Sequence, residues 1–292
     1  MSPAPTRLLV PGGHGQLGTD VAEQARSAGH EVTAPGSREL DITDAAAVDA
    51  AVAGVDVVVN CAAHTAVDAA ESEPDAAAAV NETGPGLLAR ACARHGVRLV
   101  HVSTDYVFPG DAETPYEPGD PTGPRSVYGR TKLAGEQAVL AALPGAHVVR
   151  TAWVYGAAGA NFVRTMARLE GERETLTVVD DQHGSPTWTG DLAAGLLELA
   201  ARTDLPGGVL HATNGGSTTW CGFARAVFAE IDADPARVQP CTTADFPRPA
   251  PRPAYSVLSG TAWAAAGLTP LRPWRDALHR AVSLGGLLPT PS

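Results

Sequence analysis

Lysine is nearly absent from this chain: 20 of its 21 cationic side chains are arginine, and the exception is Lys132. Cysteine is scarce too. Cys61, Cys92, Cys221 and Cys241 show no Cys-x-x-Cys pairing and no metal-ligand spacing, so reduced thiols in a cytoplasmic protein are expected. No secretory leader is expected ahead of the first apolar run, and no run is long and apolar enough to span a membrane. Positive charge is in deficit. The net charge of -11 argues against a nucleic-acid partner, which calls for a basic face. It leaves room for an anionic ligand held locally by arginines and a helix N-terminus. No internal repeat is visible. What is present, 44% hydrophobic and 18% charged residues over 292 positions, suits one large globular domain or two modest ones.

The single lysine lies four places after Tyr128, in Ser126-Val127-Tyr128-Gly129-Arg130-Thr131-Lys132. A chain that otherwise uses arginine has kept a compact ammonium with an adjustable pKa at one position. Residues i and i+4 share a helix face, so phenol and ammonium can point into one site. A cation beside a phenol favours phenolate, which would bring tyrosine toward use as a general acid or base. The plain alternative is a surface helix with a chance Tyr-x-x-x-Lys.

Strand and helix alternate through the first half. Strands are expected over 7–10, 31–34, 55–59, 98–102 and 147–150, and helices from after Gly18 to about Ala28, over 44–53 (capped near Thr43), 75–95 and from about Tyr128. This rhythm means right-handed crossovers and a Rossmann-like, doubly wound parallel α/β sheet. The loop between Ser103 and Tyr128 is too long for a mere connector and should line a site. Beyond Trp153 the pattern loosens, with helices expected over 161–171, 191–202, 220–231, 261–267 and 272–284. We therefore expect a dinucleotide domain over 1–153, rejoined by 188–212. A smaller, partly interleaved α/β substrate lobe would take 154–187 and 213–292.

Between the first strand and its helix stand Gly12, Gly15 and Gly18, with Gln16 and Leu17 among them as further candidate cofactor contacts. Glycines there permit a tight turn and close backbone approach, and the helix N-terminus faces a pyrophosphate. The end of the second strand has no acid for ribose hydroxyls. It has Ser37 and Arg38, a pair suited to a 2′-phosphate, so NADPH is favoured over NADH. Arg38 could instead be an exposed loop cation. Asp41 and Ile42 follow and could lie near the adenine.

Six ordered blocks resemble the dTDP-4-dehydrorhamnose reductases, a branch of the extended short-chain dehydrogenase/reductases. They are Val59–Asp68, Ser103–Phe108, Tyr128–Lys132, Arg150–Gly156, Val179–Thr187 and Arg252–Ser256. The resemblance implies a catalytic triad of Thr104, Tyr128 and Lys132. Tyr128 would protonate the C4 oxygen of a dTDP-4-keto sugar, Thr104 would hydrogen-bond that oxygen, and Lys132 would hold the nicotinamide ribose and keep the phenol acidic. Ala62, Ala63 and Thr65 would line the cofactor. Val67, Asp105, Tyr106, Trp153, Asn161, Gln182 and Arg252 would face the substrate, although the aromatics could instead be core or lobe interface.

Related dehydratases carry an Asp-Glu pair after the threonine. Here Tyr106 follows Asp105, so elimination lacks its second carboxylate and ketone reduction is the better reading. His64, where the family often has tyrosine, and His183 depart from the pattern. The glutamates of a magnesium-bridged dimer contact are not matched, which puts Mg2+ dependence in doubt, predicts no metal site and leaves monomer and homodimer both open. The implied activity is NADPH-dependent reduction of dTDP-4-dehydro-6-deoxy-L-mannose to dTDP-L-rhamnose. The alternatives are the same reduction of another dTDP-4-keto sugar, as in dihydrostreptose or antibiotic deoxysugar synthesis, and, more distantly, a non-catalytic NADP-binding regulatory subunit.

Overall fold

The computed structural model describes residues 5–288; the tail from Pro289, where no glutamate occurs, lies outside the described residues. Six parallel strands form the main sheet: β1 (Arg7–Leu9), β2 (Glu31–Thr33), β3 (Val57–Asn60), β4 (Arg98–Thr104), β5 (His147–Thr151) and β6 (Gly208–His211). Their spatial order is β6-β5-β4-β3-β1-β2. Consecutive residues in the central strands serve opposite faces, as the period of two requires. Leu8, Val57, Val59, Val100 and Val149 pack on one side, and Leu9, Val58, Leu99 and Val148 on the other. Strands buried on both faces read as unbroken apolar runs.

Helices cover both faces. On the first side lie α1 (Gln16–Ser27), through Leu17, Val21 and Ala25, and α5 (Thr189–Ala201), through Leu192, Leu196 and Leu199. A bond from Gln24 Nε2 to the Gly190 carbonyl, 2.8 Å, ties these two helices together. On the second side lie α2 (Ala45–Val52), α3 (Gly84–His95) and α4 (Val127–Ala142). The strand order reverses between β1 and β3, and the crevice beyond the carboxyl ends there is where such sheets bind ligands.

Several expectations need adjusting. The α2 cap is Asp44, whose carboxylate accepts from the Ala46 and Ala47 amides; Thr43 instead bonds back to Asp41. The third strand starts at Val57, because Gly54 turns at φ +83° and Val55 still belongs to that turn. The helix expected over 75–95 begins at Pro74 and contains a π-helical turn, Ala79–Thr83, ahead of α3. A short helix at Val67–Ser72 and strand β6 were not anticipated.

The remaining residues build a second apolar cluster from Tyr155, Val163, Met166, Leu176, Phe223, Phe228 and Leu278. Its small strands pair 154–155 with 187–188, 176–179 with 238–241, and 183–184 with 218–219. An extended strap around 250–258 bridges back, through the bond from His183 N to the Ala254 carbonyl (2.8 Å) and the Tyr116–Leu258 bridge.

Candidate active site

The glycine turn is shaped by backbone crowding. Gly12 has φ +78°, and a Cβ there would lie 2.6 Å from the Ala62 amide nitrogen in the loop after β3. Gly18 lets α1 close on the Gly12 carbonyl. Gly15, the N-cap of α1, is exposed, and no side chain caps its helix. Gln16 reaches across to the Ala160 carbonyl at 3.2 Å, while its Oε1 is buried without a partner among the described residues. Leu17 is core, and so is Ile42, which is 5% exposed. Ser37 and Arg38 are exposed in the turn after β2. Asp41 is exposed and accepts from the Thr43 amide and hydroxyl. An open, uncapped helix N-terminus over a tight glycine turn, with an orphaned polar atom beside it, fits a dinucleotide pyrophosphate.

Two buried asparagines, missed in the sequence, hold the loop after β3. Asn60 Oδ1 accepts from the Ala62 amide at 3.1 Å, and its Nδ2 contacts His101 Nδ1 at 3.0 Å. Asn81, in the π-turn, accepts from His64 N at 2.8 Å and donates to the His64 carbonyl and to Thr131 Oγ1. Ala62, Ala63, His64 and Thr65 are thereby fixed against α4. Asn81 at least carries a local signal, since asparagine is a poor helix-interior residue, but its partners His64 and Thr131 are distant in sequence.

Helix α4 starts where Ser126 Oγ accepts from the Gly129 amide at 3.1 Å and Glu71 accepts from the Val127 amide at 2.8 Å. Gly129 must be small, since a Cβ would stand 2.3 Å from the Tyr106 carbonyl oxygen. The close approach sets the Tyr106 and Tyr128 rings edge to face, 5.5 Å apart. Tyr128 lies beside Thr104 at the end of β4; burial pushes its phenol up to about 12, and the neighbouring Thr104 hydroxyl acts more weakly in the other direction.

Lys132 is 2% exposed, and its Nζ donates to the Val102 carbonyl at 2.7 Å. Burial pulls its pKa down to about 8, against the attraction of Glu136. The expected lowering of the phenol by Lys132 is therefore not what this geometry gives: the ammonium is spent on a β4 carbonyl, and desolvation governs both groups. Behind Lys132, Glu136 and Arg150 form a buried ion pair at 2.7 Å, which Ser103 joins through its hydroxyl.

The expected substrate residues divide. Tyr106, Asp105 and Arg252 lie close together beside Tyr128. Arg252 pairs with Asp68 at 3.0 Å, from the helix that Val67 opens, and its charge is felt at the Tyr106 phenol. Gln182 is buried, its Nε2 donating to Thr243 Oγ1 at 2.9 Å. Asn161 serves as the N-cap of the helix Phe162–Glu172, accepting from the Arg164 amide and donating to the Gly156 carbonyl, so both its polar atoms are committed locally. Trp153 has φ +47° and stacks on Trp220 with ring centroids 3.5 Å apart, both rings packed against the second apolar cluster.

The model of the RmlD substrate binding domain matches residues 6–285. The chain belongs to this family. Within the family it is 57% identical, over 95% of its own length and 92% of the relative's, to dTDP-4-dehydrorhamnose reductase of Mycobacterium tuberculosis H37Rv. It is 46% identical to dTDP-4-keto-6-deoxy-D-glucose reductase of Streptomyces niveus, over 95% and 97% of the two chains. Among solved family structures, dTDP-4-dehydrorhamnose reductase of Bacillus anthracis in complex with NADP superposes with a TM-score of 0.92 at 36% identity, covering 96% and 100%.

Proposed function

We propose that this chain is an NADPH-dependent reductase that turns the C4 ketone of dTDP-4-dehydro-6-deoxy-L-mannose into the hydroxyl of dTDP-L-rhamnose. The observation that carries the reading is the 57% identity to a dTDP-4-dehydrorhamnose reductase across nearly the whole chain. The local geometry agrees: a hydroxyl, a phenol and the only side-chain ammonium gather at the carboxyl end of β4 and the first turns of α4. We divide the chain accordingly, with 1–153 and 188–212 holding the dinucleotide and the remaining segments the sugar.

The bound dinucleotide supplies the hydride. Everything else falls to side chains. The turn at Gly12, Gly15 and Gly18 admits the pyrophosphate at the start of α1, and Ser37 and Arg38 would take the 2′-phosphate. Lys132 holds the nicotinamide ribose. Tyr128, kept protonated by its burial, places a proton toward the C4 oxygen as negative charge develops there. Thr104 orients that oxygen, and Tyr106, Arg252 and Gln182 shape the sugar side. Ile42, Asp41, Ala62, Ala63 and Thr65 border the cofactor.

The S. niveus relative favours a second reading, the same reduction of another dTDP-4-keto sugar. One experiment separates them. Purified chain is given NADPH and enzymatically prepared dTDP-4-dehydrorhamnose, oxidation is followed optically, and the product is identified by NMR. Formation of dTDP-L-rhamnose supports the first reading. NADPH binding without turnover moves the assignment to other 4-keto sugars.

A further inference from the structure

Thr104 has one hydroxyl proton, and the structure shows where it goes. Oγ1 donates to Asp105 Oδ1 at 2.9 Å and accepts from the Tyr106 amide at 3.2 Å. A hydroxyl that gives its proton to a carboxylate has none left for a ketone oxygen. Thr104 can serve the substrate only if the neighbouring bond runs the other way.

Asp105 is suited to reverse it. The residue is 2% exposed, and its Oδ2 is buried with no partner. None of the ion pairs among the described residues includes it. The groups that face it are Thr104 from β4, Tyr106 on its own turn, Tyr128 from α4 and Ser256 from the 250–258 strap. Arg252 and Asp68 bear on Tyr106 beyond it and are paired with each other. A buried carboxylate with an unsatisfied oxygen and no cation is costly, whereas a neutral carboxyl has a proton to donate. Burial pushes this group up to about 6, against the Ser256 and Thr104 hydroxyls and the Asp105 and Tyr106 amides, which favour the carboxylate.

We propose that Asp105 is a positioning residue that works as a neutral acid: its O–H donates to Thr104 Oγ1, which frees the threonine proton for the substrate's carbonyl oxygen beside that of Tyr128. The inference rests on the reductase reading above. In the ionised form the Thr104 proton returns to Asp105, and the developing alkoxide loses one of its two donors. One such donor is worth about 100-fold in kcat.

The test is kcat against pH for wild type, Asp105→Asn and Thr104→Val at saturating NADPH and sugar. Wild-type kcat should fall on the order of 100-fold from an acid plateau as pH rises through about 6. The limb should vanish in Asp105→Asn, whose amide N–H is a donor at every pH, and in Thr104→Val, which has nothing to relay. A flat wild-type profile, or a limb retained in either variant, overturns the proposal. If Asp105→Asn does not fold, Thr104→Val against wild type decides alone.

Infrared difference spectra give a readout that needs no turnover. A protonated-carboxyl C=O band should be present in wild type at about pH 5 and missing in Asp105→Asn, and its absence from wild type also overturns the proposal. Failure of the wild type to reduce any dTDP-4-keto sugar would strike at the function instead, with the carboxyl band still reporting on Asp105.

Discussion

Tyr128 and Lys132 are one helical turn apart, and both are shaped by loss of water more than by each other. The phenol is driven toward its neutral form and the ammonium toward its neutral form as well. A protonated tyrosine is the form a ketone reductase needs, so Tyr128→Phe should lower kcat by about 100- to 10,000-fold while NADPH binding, read by fluorescence titration, persists. Lys132→Arg keeps a charge but brings a planar fork into a space closed around one ammonium and the Val102 carbonyl. It should lose on the order of 100-fold in kcat through misplacement, and wild-type turnover would show that any cation suffices. Arg38 is exposed and free to meet a phosphate. Arg38→Ala should weaken NADPH by about 10- to 100-fold in Kd and leave NADH unchanged, whereas equal losses would return Arg38 to the bare surface.

At the scale of elements, the site depends on how closely α4 approaches the turn after β4. Gly129→Ala places a methyl 2.3 Å from the Tyr106 carbonyl, so the helix must shift and carry Tyr128 with it. We expect kcat to fall about 100-fold with NADPH affinity nearly intact, measured by steady-state kinetics and titration. Much of this scale was legible beforehand. Val57-Val58-Val59 and Leu99-Val100 are apolar on both faces, and the glycine turn punctuates the first strand, so the parallel sheet and its crevice followed from local pattern. The π-turn at Asn81, the loop anchored by Asn60 and the short β6 did not. They are set by long-range partners such as His64, Thr131 and His101, and Gly208–His211 has no alternation to announce a strand. Trp153 lies within a block that resembles the reductases, and Asn161 lies just beyond it. What a cap or a stacked ring does is decided by Arg164, Gly156 and Trp220, which spacing does not reveal.

The whole molecule stores buried histidines that water would protonate. His211 lies 1% exposed beside the sheet edge, and burial holds its pKa down to about 3. The unfolded chain binds that proton near pH 6.5, so His211 contributes stability that is present above about 6.5 and lost as pH falls toward 3. Asp105 acts in the opposite sense, since its carboxyl is raised on folding. The clean test is a difference: His211→Asn should reduce the rise of unfolding free energy with pH by up to roughly 1.4 kcal/mol per pH unit in that window, and denaturant melts at pH 4 to 7 would read it. The scarcity of lysine has a last consequence, in proteolysis. An endoproteinase that cuts only after lysine has one target in all 292 residues, and cleavage there leaves fragments 1–132 and 133–292. That bond lies inside a helix behind a buried side chain, so cutting requires α4 to unwind locally. The rate of a single, all-or-none nick then becomes a clock for how often the catalytic helix opens, and a bound dinucleotide should slow it.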